Sequence, residues 1–228
     1  MKNSGGKPIF DITPFTMLDF PEHLSCIVWF AGCNMRCAYC YNPHIVLGEG
    51  NIGADEFLDF LRKRTQRLEG VVLSGGECTL YPKLLELCRE IKELGFKIKI
   101  DTNGSNPKIL DNLLKSGFID FVSIDFKAAK SLFKSVTLSN FYDAFIRSLQ
   151  ILRLNSVPFE VRTTVHADLL SEKTINEMAD ILLENGYKGV YYLQNYLHAK
   201  QTLGGLNANP KKFDKTLLTD KIKIEFRN

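Results

Sequence analysis

The 228-residue chain predicts an α/β fold with a mostly parallel sheet that stays open. Short apolar runs alternate with segments of helical periodicity between residues 24 and 194. There are six such runs; Phe96–Asp101 alternates as a strand should, and the first five carry polar or charged groups at or near their ends. Strands separated by helices read as successive βα units around a parallel sheet. Six strands are too few to close an eight-stranded barrel, so a partial (β/α)6 barrel with outer helices is expected.

The strands are expected at Leu24–Phe30, Gly70–Ser74, Phe96–Asp101, Ile119–Asp125, Phe159–Val165 and Gly189–Gln194. Between them, Asp55–Glu69 carries Phe57, Leu58, Leu61 and Leu68 at helical spacing and stops at Gly70. Tyr81–Leu94 has Pro82 near its first turn, Gly95 just past its end, and an apolar face of Leu84, Leu85, Cys88, Ile91 and Leu94. Pro107–Ser116, Ser139–Leu154 and Glu172–Asn185 complete the helices. No repeat, low-complexity tract or linker interrupts the series, so one domain is expected over 1–228, with a core at 15–197. The extension 198–228 carries Gly204-Gly205, Asn207 and Asn209-Pro210 and reads as a long loop followed by an edge strand, Lys221–Phe226.

Apolar residues at 45% and charged residues at 24% are ordinary for a globular protein. A net charge of +3 is too small to argue for nucleic acid or a membrane surface. The first residues lack the apolar run of a signal peptide, and no segment reaches the roughly 18 apolar residues of a membrane span. A cytoplasmic protein is expected, and its six cysteines are then read as thiols. Cys26 in the first strand and Cys88 on the second helix are read as buried. Trp29 is read as core.

The other cysteines carry chemistry. Gly32-Cys33-Asn34-Met35-Arg36-Cys37-Ala38-Tyr39-Cys40 places three thiolates on one tight loop after the first strand. Three soft sulfur ligands suit a metal or an iron–sulfur cluster. No second CxxC pair closes the set. A structural zinc site closes with four protein ligands, whereas a catalytic centre keeps one position open.

Parallel sheets bind ligands at the carboxyl ends of their strands. Those ends here read Ser74-Gly75-Gly76-Glu77, Asp101-Thr102-Asn103-Gly104 and Ser123-Ile124-Asp125-Phe126-Lys127, with Arg162-Thr163-Thr164 on the fifth strand. Any one alone reads equally as a turn; together they mark one face of the sheet.

With these motifs in place, the chain resembles the radical S-adenosylmethionine enzymes. Within them it looks like the activating enzymes of glycyl-radical enzymes, most nearly the anaerobic ribonucleotide reductase activating proteins. The resemblance runs from Phe15 to Gln194 and includes Asp19-Phe20-Pro21 and Tyr41-Asn42-Pro43. It implies a [4Fe–4S] cluster on Cys33, Cys37 and Cys40, with the open iron taken by the amino and carboxylate groups of S-adenosylmethionine. Reductive cleavage would leave methionine and a 5′-deoxyadenosyl radical, which takes hydrogen from a glycine of a large reductase. A flavodoxin or ferredoxin-type protein would be the electron donor. Gly75, Gly76 and Glu77 would meet the methionine amino group, with Asn103 and Lys127 on the ribose or carboxylate side. Tyr39 would pack under the loop and shield the cluster. Asp101, Thr102 and Asp125 match positions that hold a monovalent cation in the pyruvate formate-lyase activating enzyme, so the resemblance implies Na⁺ or K⁺ there. The two aspartates read equally as caps or turn residues. Arg162 would contact ribose or pair with one of them.

Departures from the pattern open other readings. Cys78 stands where the family often has proline, and reads as a loop thiol or a redox-sensitive one. Gln194-Asn195-Tyr196 ends the last strand where the lyase activator has histidine, favouring the reductase-activator subgroup. The same chemistry could act on another protein, a peptide or a small molecule. A structural zinc module would instead use the three cysteines with Cys26 or His44.

Overall fold

The computed structural model describes residues 6–197, 202–206 and 213–227. Its strands are β1 (Ile9–Thr16), β2 (Ser25–Phe30), β3 (Gly70–Gly75), β4 (Lys97–Thr102), β5 (Phe121–Asp125), β6 (Phe159–Val165), β7 (Tyr191–Asn195) and β8 (Ile224–Arg227). Its helices are α1 (Pro43–Leu47), α2 (Ala54–Arg62), α3 (Leu84–Glu93), α4 (Pro107–Lys115), α5 (Lys130–Thr137), α6 (Tyr142–Leu154) and α7 (Glu172–Glu184). The strands follow one another in chain order within one sheet, which is not closed into a barrel. The pairs β2–β3, β3–β4, β6–β7 and β7–β8 are parallel.

The six strands anticipated from the sequence fall within two residues of β2 to β7. The expected edge strand appears as β8, beginning three residues later than anticipated. Residues 198–201 and 207–212 of the anticipated long loop lie outside the described residues. β1 is an addition: it pairs antiparallel with β2, and its register shifts beside Pro14. Proline cannot donate to a ladder and is tolerated only at such an edge, which also hid this strand from a reading by periodicity. α5 is a second addition. Its serines and β-branched residues are indifferent helix formers. Leu138, at φ 50°, ends it in a left-handed turn, so the anticipated helix at Ser139 begins only at Tyr142.

The chain packs as two compact units. The first takes the chain up to Asn34, His44–Thr102 and Lys108–Val122. Its core includes Val28, Val71 and Leu73 of the strands, with Phe57, Leu58 and Leu61 of α2. On α3 the buried set is Leu84, Leu87, Cys88 and Ile91, a stripe at i, i+3, i+4 and i+7, so the anticipated Leu85 faces outward instead. Trp29 is only partly buried: it packs on Phe20, Ile27 and Val72, while its Nε1 donates to Thr13 Oγ1 at 2.9 Å.

The second unit takes Met35–Pro43, Asn103–Pro107 and the chain from Ser123 onward. Phe145, Leu149 and Leu152 of α6 are buried, and Phe145 stacks on Phe126 with ring centroids 4.5 Å apart. β8 is anchored by Arg227, whose guanidinium grips buried Glu160 with both carboxylate oxygens engaged, at 3.1 and 2.8 Å. No helix among the described residues is long and apolar enough to cross a membrane.

Candidate active site

In the first unit, β2 and β3 run parallel in register, with Phe30 opposite Gly75, so their carboxyl ends emerge side by side. Gly76 N–H donates to Phe30 O at 2.8 Å, and Glu77 N–H to Gly32 O at 3.0 Å. The two backbones touch. A Cβ on Gly76 would sit 1.9 Å from Gly32 O and 3.2 Å from the Cβ of Cys33, and Gly75 adopts φ +112°, open in practice only to glycine. Half-buried Cys33 therefore stands against the Gly75-Gly76-Glu77 backbone.

Glu77 is buried, and three donors converge on its Oε1: Thr79 N–H at 3.1 Å, Thr79 Oγ1 at 2.6 Å and Thr102 Oγ1 at 2.8 Å. Charge-assisted bonds of this kind hold a carboxylate in place. Thr102 is thus turned toward Glu77. Asp101, one residue earlier on β4, is paired with the Nζ of Lys99 and accepts from Ser74 Oγ at 3.3 Å. Cys78 is fully buried and its thiol donates to Asp101 O at 3.5 Å. Burial, then the nearby Glu77 and Asp101 carboxylates, push that thiol well above its ordinary range. Cys78 is therefore packed in the interior, a setting that disfavours the reactive thiolate.

In the second unit the cysteine loop is fixed on two sides. Arg36 N–H donates to Thr137 O at 2.8 Å and Ala38 N–H to Val136 O at 3.0 Å, satisfying carbonyls at the end of α5 that the helix cannot pair itself. From the other side, Leu203 N–H reaches Cys40 O at 3.3 Å and Gly204 N–H reaches Ala38 O at 2.9 Å. Tyr41 stacks on Tyr196 at 5.4 Å and accepts from Leu197 N–H at 2.7 Å. Neither α5 nor the Thr202–Leu206 segment was anticipated as part of the site. The glycine pair at 204 and 205 was the one signal the sequence offered.

Cys37 is 7% exposed, and burial raises its thiol while the neighbouring Lys127 ammonium opposes the rise. Tyr39 beside it is buried, with the Lys127 Nζ 5.8 Å from its ring centroid. The Tyr39 hydroxyl makes no hydrogen bond of normal geometry; it acts on the Cys37 thiol, favouring the thiolate. Asp125, at the end of β5, takes Lys127 Nζ at 3.1 Å and Arg162 Nε at 3.0 Å. Burial would raise its carboxyl, but Arg162 and Lys127 outweigh it and hold the group at about 2. Burial would likewise lower Lys127, yet Asp125 holds it well above the ordinary lysine range. Of this pair of cations it is Lys127 that acts on the Cys37 thiol, against burial and against the Asp125 carboxylate. The ion pair is the second of the two roles open to Arg162.

Asn103 lies buried in the same unit and caps a turn, its Oδ1 accepting from Ser105 N–H at 2.9 Å. Gly104 follows at φ +71° against Ile124 and Phe145. Among the described residues, neither fourth ligand named for the zinc reading is set up as one. Cys26 is wholly buried in β2 with its thiol pushed up to about 12 by burial, and exposed His44 packs against the Phe10 ring.

In donor chemistry alone, soft thiols suit an iron–sulfur cluster, and a glycine turn with a fixed carboxylate suits a charged methionine derivative. The Radical SAM superfamily model matches residues 27–192. A Methanocaldococcus jannaschii protein named as a glycyl-radical enzyme activating enzyme is 31% identical over 178 residues, covering 74% of this chain and 72% of that protein. The pyruvate formate-lyase-activating enzyme of Clostridium pasteurianum is 32% identical over 126 residues, 52% of each chain. Among solved structures, Streptococcus suis SuiB bound to S-adenosylmethionine superposes with a TM-score of 0.68 at 19% identity, covering 89% of this chain. SuiB bound to its precursor peptide SuiA gives 0.63 at 20% identity, covering 75% of this chain. The chain spans 52% of the S-adenosylmethionine-bound SuiB chain and 39% of the peptide-bound one. The chain belongs to the radical SAM superfamily, whose enzymes use a [4Fe–4S] cluster and S-adenosylmethionine.

Proposed function

We propose that this chain activates a glycyl-radical enzyme, taking hydrogen from a glycine Cα of a large partner protein. Cys33, Cys37 and Cys40 would hold the cluster as thiolates. When bound, the cluster and S-adenosylmethionine supply the reductive cleavage of the sulfonium, one electron in and one carbon–sulfur bond broken, to a 5′-deoxyadenosyl radical. The chain's own groups bind, orient and exclude water. Glu77, held by Thr79 and Thr102, would pair with the methionine ammonium. Lys127 and Arg162 would receive the methionine carboxylate, and Gly75 and Gly76 would let backbone come close. Tyr39 would shield the cluster, and Asn103 would face the ribose or carboxylate side.

The observation that carries this reading is the Asp125–Lys127–Arg162 group beside a buried Cys37. Lys127 there opposes the rise that burial imposes on the thiol, and with Arg162 it offers donors to an anionic ligand. A polypeptide acceptor is supported by the names of the two activating-enzyme relatives and by the peptide in one SuiB structure. Anaerobic ribonucleotide reductase is the acceptor to try first, with a flavodoxin or ferredoxin-type donor.

The test is anaerobic. Protein supplied with dithionite and S-adenosylmethionine should release 5′-deoxyadenosine, Cys37→Ala should abolish that product, and Cys88→Ala should preserve it. Electron paramagnetic resonance after mixing with a candidate reductase should show a radical on glycine. Release of 5′-deoxyadenosine without a glycyl signal across candidates would move the acceptor to a peptide or small molecule.

A further inference from the structure

The residues that match a monovalent-cation site in a relative of this chain do not fit one here, because the protein has already placed its own cations on them. Lys99 lies within β4 and is 1% exposed. Charged lysines are rarely buried so fully unless paired. Its partner is Asp101, two residues along the same strand and so on the same face. Thr102 is the next residue and falls on the opposite face, where its hydroxyl is committed to Glu77 at 2.8 Å. Alternation therefore sends the Asp101 carboxylate and the Thr102 hydroxyl to opposite faces. Asp125 is held by Lys127 and Arg162. A hard cation needs oxygen donors whose charge is not already matched. An ammonium within contact of Asp101, and two cations on Asp125, would repel an incoming Na⁺ or K⁺.

We propose that the Lys99 ammonium performs in this chain the task of a bound monovalent cation, holding Asp101 beside Ser74 at the mouth of β3, so that the protein needs neither Na⁺ nor K⁺. Lys99 is then a positioning residue, acting through Asp101. The inference rests on the proposed S-adenosylmethionine site, but cation binding can be read without that ligand.

The experiment compares the thermal midpoint of the cluster-loaded protein in potassium, sodium and tetramethylammonium chloride at equal ionic strength. A cation that binds only the folded state stabilises it in proportion to its occupancy. The unmodified protein should show the same midpoint in all three salts. Lys99→Met, which leaves Asp101 without its ammonium, should become more stable in potassium or sodium than in tetramethylammonium. S-adenosylmethionine affinity, measured by calorimetry in the same salts, should change by less than about twofold for the unmodified protein. In Lys99→Met it should be weakened and then recovered by the small cations. If Lys99→Met does not fold, Lys99→Gln is measured in its place, and the unmodified protein decides on its own. Stabilisation of the unmodified protein by sodium or potassium, or a Lys99 variant indifferent to all three salts, would overturn the proposal. Salt-independent midpoints with no S-adenosylmethionine binding would instead overturn the site reading and leave the internal cation standing.

Discussion

Gly204 donates its amide to Ala38 O at 2.9 Å, and a Cβ placed on Gly204 would stand 2.7 Å from both Cα and Cβ of Ala38. The extension thus lies backbone to backbone on the cysteine loop, a proximity that only glycine permits.

Gly204→Val should lift that segment off the loop. In cluster-free protein, alkylation followed by mass spectrometry should then label Cys37 and Cys40 faster than in the unmodified chain. The buried Cys26, Cys78 and Cys88 should label as slowly as before. Equal rates at Cys37 and Cys40 in both proteins would rule out the extension as their cover.

Two glycines with different surroundings should respond differently to alanine. Gly76→Ala drives a methyl to within 1.9 Å of Gly32 O, a backbone atom, and should cost at least about 3 kcal/mol. Gly117 has φ +72° but nothing within 4 Å of an added Cβ, so Gly117→Ala should cost only about 1 kcal/mol. Urea denaturation of the two variants measures both.

Asp125 sets an acid limit. Its folded value near 2 lies below the ordinary 3.8, so its contribution is present above 3.8 and disappears as pH falls through about 2. The contribution at neutral pH is about 2 kcal/mol. Stability attributable to this group should therefore be flat above pH 4 and fall below it, and Asp125→Asn should flatten that acid branch. At neutral pH Asp125→Asn also leaves the half-buried Lys127 and Arg162 without their carboxylate and should lower the denaturation midpoint. Denaturation curves across the acid range test both statements.

Arg227 holds the last strand. Its side chain is 38% exposed, so solvent discounts the ion pair with Glu160, and Arg227→Met should cost only about 1 kcal/mol globally. Locally the effect should be larger. Tyr191 N–H, which donates to Lys223 O at 2.8 Å, should exchange with deuterium faster in the variant, whereas the β2–β3 amides should not change.

Much of the fold was legible because strand bodies and helix faces announce themselves by period. Val71, Val72 and Leu73 have no polar interruption, and Leu84, Cys88 and Ile91 repeat at helical spacing. Leu87 completes that stripe at i+3, and Leu85, read as part of it, falls off the face and is exposed. β1 escaped because Pro14 breaks its alternation, and α5 because its residues favour no particular state. The site was legible as a set of motifs, since cysteine spacing and strand-end glycines are local properties. Partners were not: Arg162 with Asp125, Thr102 with Glu77 and Lys99 with Asp101 are choices of direction.

The chain's order of residues alone determined the alternating architecture, the thiol loop and the strand-end chemistry, because each depends on spacing along a few residues. Only the tertiary structure decided which charges neutralise one another and that residues 203 and 204 reach back to Ala38 and Cys40. Those contacts join positions more than a hundred residues apart. Their energies depend on burial and on the side of the strand each group occupies, and neither quantity exists until the chain has packed.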